Sequence, residues 1–154
     1  MRSPKVPNLG TRPIVPNHGT PPIVPTSGKT ILIIDDTLDI LELLETILRI
    51  DHYEIFTAGG GAEALELLAR IRNPDLIFLD VQMNGMSGPE FLLALDERWP
   101  DLIKTVPVVF LTAGDEVRNS KAVGHIHKPI DLLPFLSTTR KYIAMGGGTL
   151  ALNH

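Results

Sequence analysis

The sequence contains no cysteine, which excludes disulfides, thiolate metal sites and cysteine nucleophiles. It has no run of about 18 apolar residues, the length a membrane-spanning helix needs. Its start, Met1-Arg2-Ser3-Pro4-Lys5, leads into proline-rich chain without the apolar stretch of a signal peptide. An excess of positive charge is missing too. The formal charge is −4 and no Lys/Arg run stands in for a basic field, so nothing favours nucleic acid as a partner. These absences make a soluble, cytoplasmic protein with no membrane and no nucleic acid the expectation. What is present is 154 residues at 44% hydrophobic and 21% charged, enough for one globular domain with a sizeable core plus tails.

Residues 1–29 differ from the rest. Pro, Gly, Asn, Ser and Thr dominate there, and Pro13-Ile14-Val15-Pro16 is loosely echoed by Pro22-Ile23-Val24-Pro25. Such composition favours extended or coil chain without a packed core, a linker or extension. Its Ile-Val pairs also suit a docking peptide. Gly28-Lys29-Thr30 ends like a phosphate-binding loop, but the glycine that motif needs five residues earlier is Ile23. A Gly-rich tail over residues 144–154 closes the chain.

Between these tails, apolar runs alternate with amphipathic stretches. Thr30–Ile34, Glu54–Ala58, Leu76–Leu79, Val106–Leu111 and His125–His127 read as strands, the central ones apolar throughout as buried parallel strands are. Leu38–Ile50, Ala62–Ile71, Pro89–Leu95 and Leu132–Ile143 read as helices, with Pro89 suited to a first turn. Trp99-Pro100 reads as a packing anchor before a strand. Five strands alternating with helices predict a doubly wound α/β domain over residues 30–143, its parallel sheet covered on both faces. A ligand site then belongs at the C-terminal ends of the strands.

The residues at those ends are Asp35-Asp36, Asp80, Thr112 and Lys128. A single Asp after a strand is ordinarily a turn former or helix cap, and a lone Lys-Pro a surface turn. Five such residues at the ends of four strands call for a joint explanation. Clustered carboxylates repel one another and need a cation. With oxygen ligands only, a hard ion is expected, Mg²⁺ foremost. Carboxylate, Mg²⁺, hydroxyl and ammonium together can receive a phosphoryl group and spread its charge.

The order and spacing of Ile33-Ile34-Asp35-Asp36, Asp80 through Gly88, Phe110-Leu111-Thr112-Ala113 and Lys128-Pro129 resemble the CheY-like receiver domains of bacterial two-component response regulators. The resemblance covers about residues 30–143. It implies a flavodoxin-like strand order 2-1-3-4-5, Asp80 as phosphoacceptor and metal ligand, and Asp36 as a direct Mg²⁺ ligand. Asp35 would bind the ion mainly through water, and the Gln82 backbone carbonyl would supply another ligand. Thr112 and Lys128 would hold the phosphoryl oxygens, and the Lys128-Pro129 peptide would be cis. The donor would be a sensor histidine kinase or a phosphotransfer protein. The chain would act as a monomer or weak dimer, assist its own phosphorylation and dephosphorylation, and signal by binding a protein target.

The chain also departs from the family pattern. Only 12 residues separate Thr112 from His125, too few for an ordinary helix with its connections. The family's fourth helix is therefore expected to be truncated or replaced by a loop, which puts a conventional output face in doubt. His125 stands where receivers often have Tyr or Phe. It could act as the inward-turning switch residue with added pH sensitivity, or be a strand histidine with no signalling role. Asn84 replaces a common proline, a change read as one of loop stiffness, and Gln82 and Gly114 flank the site where dephosphorylation is tuned. Two other functions compete with the phosphorylated switch. One is a receiver-like scaffold that binds its partner constitutively. The other is a haloacid-dehalogenase-type phosphatase, which wants an Asp at position 82 where this chain has Gln82.

Overall fold

A computed structural model describes residues 28–145. The expected N-terminal extension, apart from Gly28 and Lys29, and the expected Gly-rich tail, apart from residues 144 and 145, lie outside the described residues. In chain order the elements are β1 (Thr30–Ile34), α1 (Leu38–Arg49), β2 (Glu54–Ala58), α2 (Gly61–Leu68), β3 (Leu76–Asp80), α3 (Gly88–Arg98), α4 (Pro100–Thr105), β4 (Val108–Thr112), β5 (Gly124–His127) and α5 (Leu132–Met145). The strands form one parallel sheet in the order β2-β1-β3-β4-β5, as expected.

Each strand of the apolar centre is buried along its whole length. Because side chains alternate across a strand, each strand feeds two cores. Ile31, Ile33, Leu76, Phe78, Val109 and Leu111 face α1 and α5, meeting Leu44, Leu48, Phe135 and Leu136. Leu32, Ile34, Ile77, Leu79, Val108 and Phe110 face the other way, against Leu68, Phe91, Leu95 and Ile103. The spacing of Leu41, Leu44, Ile47 and Leu48 puts them on the one face of α1 that is buried. Phe78 and Phe135 stack across the sheet–α5 boundary with ring centroids 5.0 Å apart. Burying a side chain of this size contributes roughly 1.5–3 kcal/mol, so the sheet is a stiff platform for whatever stands at its ends.

Three local features decide how the platform is closed. α3 is started by a capping box, in which the Ser87 hydroxyl accepts from Glu90 N–H and the Glu90 carboxylate accepts from Ser87 N–H. After α1, His52 takes a left-handed φ of 64° that turns the chain toward β2. Arg140 of α5 clamps that turn by a two-pronged pair with Asp51 at 2.7 and 3.0 Å. Residues 113–123 contain no helix, so of the two expected outcomes, a truncated fourth helix or a loop, it is the loop that stands there.

Some boundaries moved. β4 begins at Val108, not Val106, since Pro107 has no N–H to give the ladder, although its carbonyl still accepts from Ile77. Trp99-Pro100 opens the six-residue helix α4, with Pro100 in its first turn and Leu102 and Ile103 buried. Arg98 lies over the Trp99 ring at 5.1 Å. α5 runs two residues beyond Ile143, to Met145.

Candidate functional site

Strand parity sorts the expected site residues into two groups. Ile33 of β1, Phe78 of β3 and Ile126 of β5 belong to the core under α1 and α5. Two residues further along each strand stand Asp35, Asp80 and Lys128. Thr112 instead follows Phe110, on the opposite face, and the register partner of Phe110 is His125. Asp35, Asp80 and Lys128 therefore converge from one side of the sheet edge. Thr112 and His125 border it from the other.

The first group is tightly built. Asp35 is fully buried and Asp80 nearly so. The Lys128 ammonium donates to Asp35 Oδ2 at 2.9 Å and to Asp80 Oδ1 at 3.3 Å. Thr37 N–H donates to the other oxygen of Asp35 at 2.9 Å. Gln82 N–H reaches Asp80 Oδ1 at 3.4 Å, and Asn84 N–H donates to Asp36 Oδ2 at 2.8 Å. Lys128 is carried here by the peptide it shares with Pro129, which is cis as expected, and by its own N–H, which donates to the Thr112 carbonyl at 2.8 Å.

Burial first, and then the neighbouring Asp35 charge, push the Asp80 carboxyl up to about 6, against the opposing pull of Lys128. Burial alone would lower the Lys128 ammonium, but the hydrogen bond and charge of Asp35, joined by those of Asp80, hold it above its ordinary value. One lysine thus faces two buried carboxylates, with Asp36 as a third acid beside them. Oxygens of Asp35, Asp36 and Asp80 all lie within 4.8 Å of one another. An all-oxygen donor set with surplus negative charge fits a hard divalent ion such as Mg²⁺.

The backbone must come close for this to work. A Cβ on Gly88 would stand 2.4 Å from the Asp80 carbonyl oxygen and 3.0 Å from Val81 Cα. Gly88 N–H donates to the Val81 carbonyl at 2.9 Å. Glycine at this position lets the first turn of α3 press against the phosphoacceptor candidate's own backbone. Gly88→Ala is expected to cost about 1–3 kcal/mol of stability, the range for overpacking a tight site, read as a lower urea midpoint. An unchanged midpoint would show that α3 can move away at no cost.

On the other face, the Thr112 hydroxyl accepts from Gly114 N–H at 2.9 Å and lies 3.5 Å from the Asp115 carbonyl. The His125 imidazole packs on Phe110, with centroids 5.4 Å apart, and its Nε2 accepts from Val117 N–H at 2.9 Å. Both side chains thus anchor the loop that replaces the helix. Sequence reasoning missed this histidine–backbone bond, the Asn84 N–H and the close approach at Gly88, because each depends on the path a loop's backbone takes. His125→Ala is expected to speed amide exchange at Val117 about fivefold, since a net hydrogen bond is worth about 1 kcal/mol. Unchanged exchange would mean that the loop holds itself.

Comparison with known proteins agrees with this fold. Residues 31–138 match the family model of the response regulator receiver domain. The chain is 32% identical over 121 residues to sporulation initiation phosphotransferase F of Bacillus subtilis, covering 75% of this chain and 94% of that protein. It is also 32% identical to the polar-differentiation response regulator DivK of Brucella anthropi, covering 75% of this chain and 96% of that protein. Among solved structures, the chemotaxis protein CheY4 of Vibrio cholerae superposes with a TM-score of 0.67 at 28% identity, over 74% of this chain and 98% of that one. The response regulator TrrA of Thermotoga maritima, solved in complex with Mg²⁺ and BeF, does so with a TM-score of 0.64 at 31% identity, again over 74% and 98%.

Proposed function

The chain belongs to the response regulator receiver domain family, and on that premise we propose that it takes a phosphoryl group onto Asp80 in a Mg²⁺-dependent reaction. The donor is the phosphohistidine of a sensor kinase or phosphotransfer protein, and the output is a protein–protein contact. The observation that carries this reading is the buried Asp35–Lys128–Asp80 constellation, with Asp36 beside it, at the C-terminal sheet edge.

The residues divide the work. Asp80 is the nucleophile. A carboxyl titrating near 6 is ionised at neutral pH, and one of its oxygens forms the new O–P bond as the donor's bond to phosphorus breaks. Asp35, Asp36, Asp80 and the Gln82 carbonyl would hold Mg²⁺, which when bound offsets the charge of the carboxylates and of the phosphoryl oxygens. Lys128 has three donors, of which two are engaged with Asp35 and Asp80. It can turn one of them to a phosphoryl oxygen without leaving Asp35.

Thr112 brings a hydroxyl whose proton is only loosely held by the Asp115 carbonyl at 3.5 Å. If that hydroxyl swings to the phosphoryl group, the grip on residues 114–115 changes, and His125 couples the same loop to β5 through Val117. The signal is then read on a loop where other receivers present a helix.

The direct test is incubation with acetyl phosphate, with and without Mg²⁺, read by intact mass. One added phosphoryl group is expected with Mg²⁺, and none when EDTA is present throughout. Folded, Mg²⁺-binding protein that gains none would leave the constitutive scaffold as the better account.

A further inference from the structure

The three carboxylates of the cluster are held by one backbone N–H each, but not in the same way. Asp35 accepts from Thr37 and Asp80 from Gln82. Both donors lie two residues further along the chain, as in an Asx turn, so they come with the local sequence. Asp36 accepts from Asn84 N–H, 48 residues away, at 2.8 Å. Lys128 bridges Asp35 and Asp80, and its ion pairs stop there. The fix on Asp36 therefore comes from the loop that follows β3.

We propose that the Asn84 backbone N–H is a positioning donor for the cation site, holding Asp36 Oδ2 so that its other oxygen stays turned toward Asp35 and Asp80. This rests on the reading of those three carboxylates as the Mg²⁺ site. Its consequence is particular to this chain. Proline, which Asn84 replaces relative to the family pattern, has no N–H and cannot make the bond. The loop conformation itself does not demand asparagine. Gly85 follows with a φ of +79°, the setting in which the preceding corner of a turn accepts proline as readily as other residues. What asparagine adds is the donor, and it adds it through the main chain.

The physical expectation follows from the geometry. An acidic side chain near the surface has several rotamers, and only some point an oxygen at the cluster. A charge-assisted bond from a fixed amide removes the others before the ion arrives. Loss of such an orienting partner typically weakens metal affinity roughly 10- to 100-fold. Asp36 and Asn84 lie at the exposed rim of the site, so the effect falls at or below the lower end of that range, about three- to tenfold.

Two substitutions separate the donor from the side chain. Asn84→Ala keeps the N–H and is expected to bind Mg²⁺ as the wild type does in a titration followed by amide chemical shifts. Asn84→Pro removes the N–H and is expected to bind about three- to tenfold more weakly. In an Asp36→Ala background the proline substitution should weaken binding no further, which a merely distorted loop would not reproduce. Equal affinities for Asn84→Pro and wild type overturn the proposal, as does an equal loss in Asn84→Ala. A wild type that binds no Mg²⁺ at all overturns the metal reading itself, a separate failure. Should Asn84→Pro not fold, the Asn84 amide of the full-length chain decides. Asp36→Ala should move its proton resonance upfield and speed its exchange, and an unmoved resonance rejects the bond.

Discussion

Asp80→Asn is expected to take up no phosphoryl group from acetyl phosphate and Mg²⁺, and at the same time to be more stable than the wild type in metal-free buffer. The first effect is all-or-none because an amide oxygen does not supply the nucleophilic carboxylate. The second comes from the same environment. Asp80 is pushed up to about 6 by burial and by Asp35, so the folded protein holds its proton more tightly than the unfolded chain, where an aspartate titrates near about 3.9. A raised carboxyl gives stability that is fully present below about pH 4 and lost as pH rises through about 6. The shift corresponds to on the order of 2–3 kcal/mol above neutrality. The substituted amide is close in shape to the carboxyl and carries no charge to desolvate. The stability gap should therefore be small near pH 4 and open toward about 2–3 kcal/mol above about pH 7. Urea unfolding in EDTA at both ends of that range checks it. A gap that stays constant with pH, or a variant that is still phosphorylated, would show that Asp80 is not the strained acceptor.

Much of this site was legible in the sequence because central parallel strands leave little choice. Ile31–Ile34, Leu76–Leu79 and Val108–Leu111 have to be buried on both faces, so the polar residue that ends each run marks the sheet edge. That places Asp35, Asp80 and Thr112 without any knowledge of side-chain geometry. Lys128 was harder, since β5 is short and half-exposed, but the proline after it marked the turn. The spacing from Thr112 to His125 was enough to exclude an ordinary full-length helix, though not a short one.

What escaped was the short and the long-range. α4 has six residues, Pro100–Thr105, too few for a helical period to show, and it was hidden in what read as the approach to a strand. Strand parity, which puts Thr112 and His125 across the sheet from Asp35, Asp80 and Lys128, becomes visible only once the register is known. The Asn84–Asp36 and Val117–His125 bonds join segments whose meeting no local pattern encodes. Asn84 in particular read as a matter of loop stiffness, because its side chain suggested nothing and its main chain does the holding.

Lys128→Met is expected to be the most destabilising single change at this edge. The methionine fills a similar volume, so packing is largely kept and the loss isolates the charge. Asp35 is fully buried and Asp80 nearly so, and Lys128, itself largely buried, is the cation that reaches both. Removing one partner of a buried ion pair leaves an uncompensated charge, at a cost of about 3–5 kcal/mol. Partial exposure of the lysine puts the expectation at the low end, about 3 kcal/mol at neutral pH in EDTA. Because the Lys128 ammonium is held above its ordinary value, this contribution persists below about pH 10 and is lost only as the lysine itself deprotonates in the folded state. Two recoveries should follow if charge is the cause. Acidifying toward about pH 5 protonates Asp80 and returns part of the stability. Adding Mg²⁺ returns more, since a divalent ion meets the same three carboxylates. Phosphoryl uptake from acetyl phosphate should still fall by about 10²–10³, the loss when one preorganised donor to a developing oxyanion is removed. Stability that neither acid nor Mg²⁺ restores would mean that the lysine's methylenes, and not its charge, hold this edge of the sheet together.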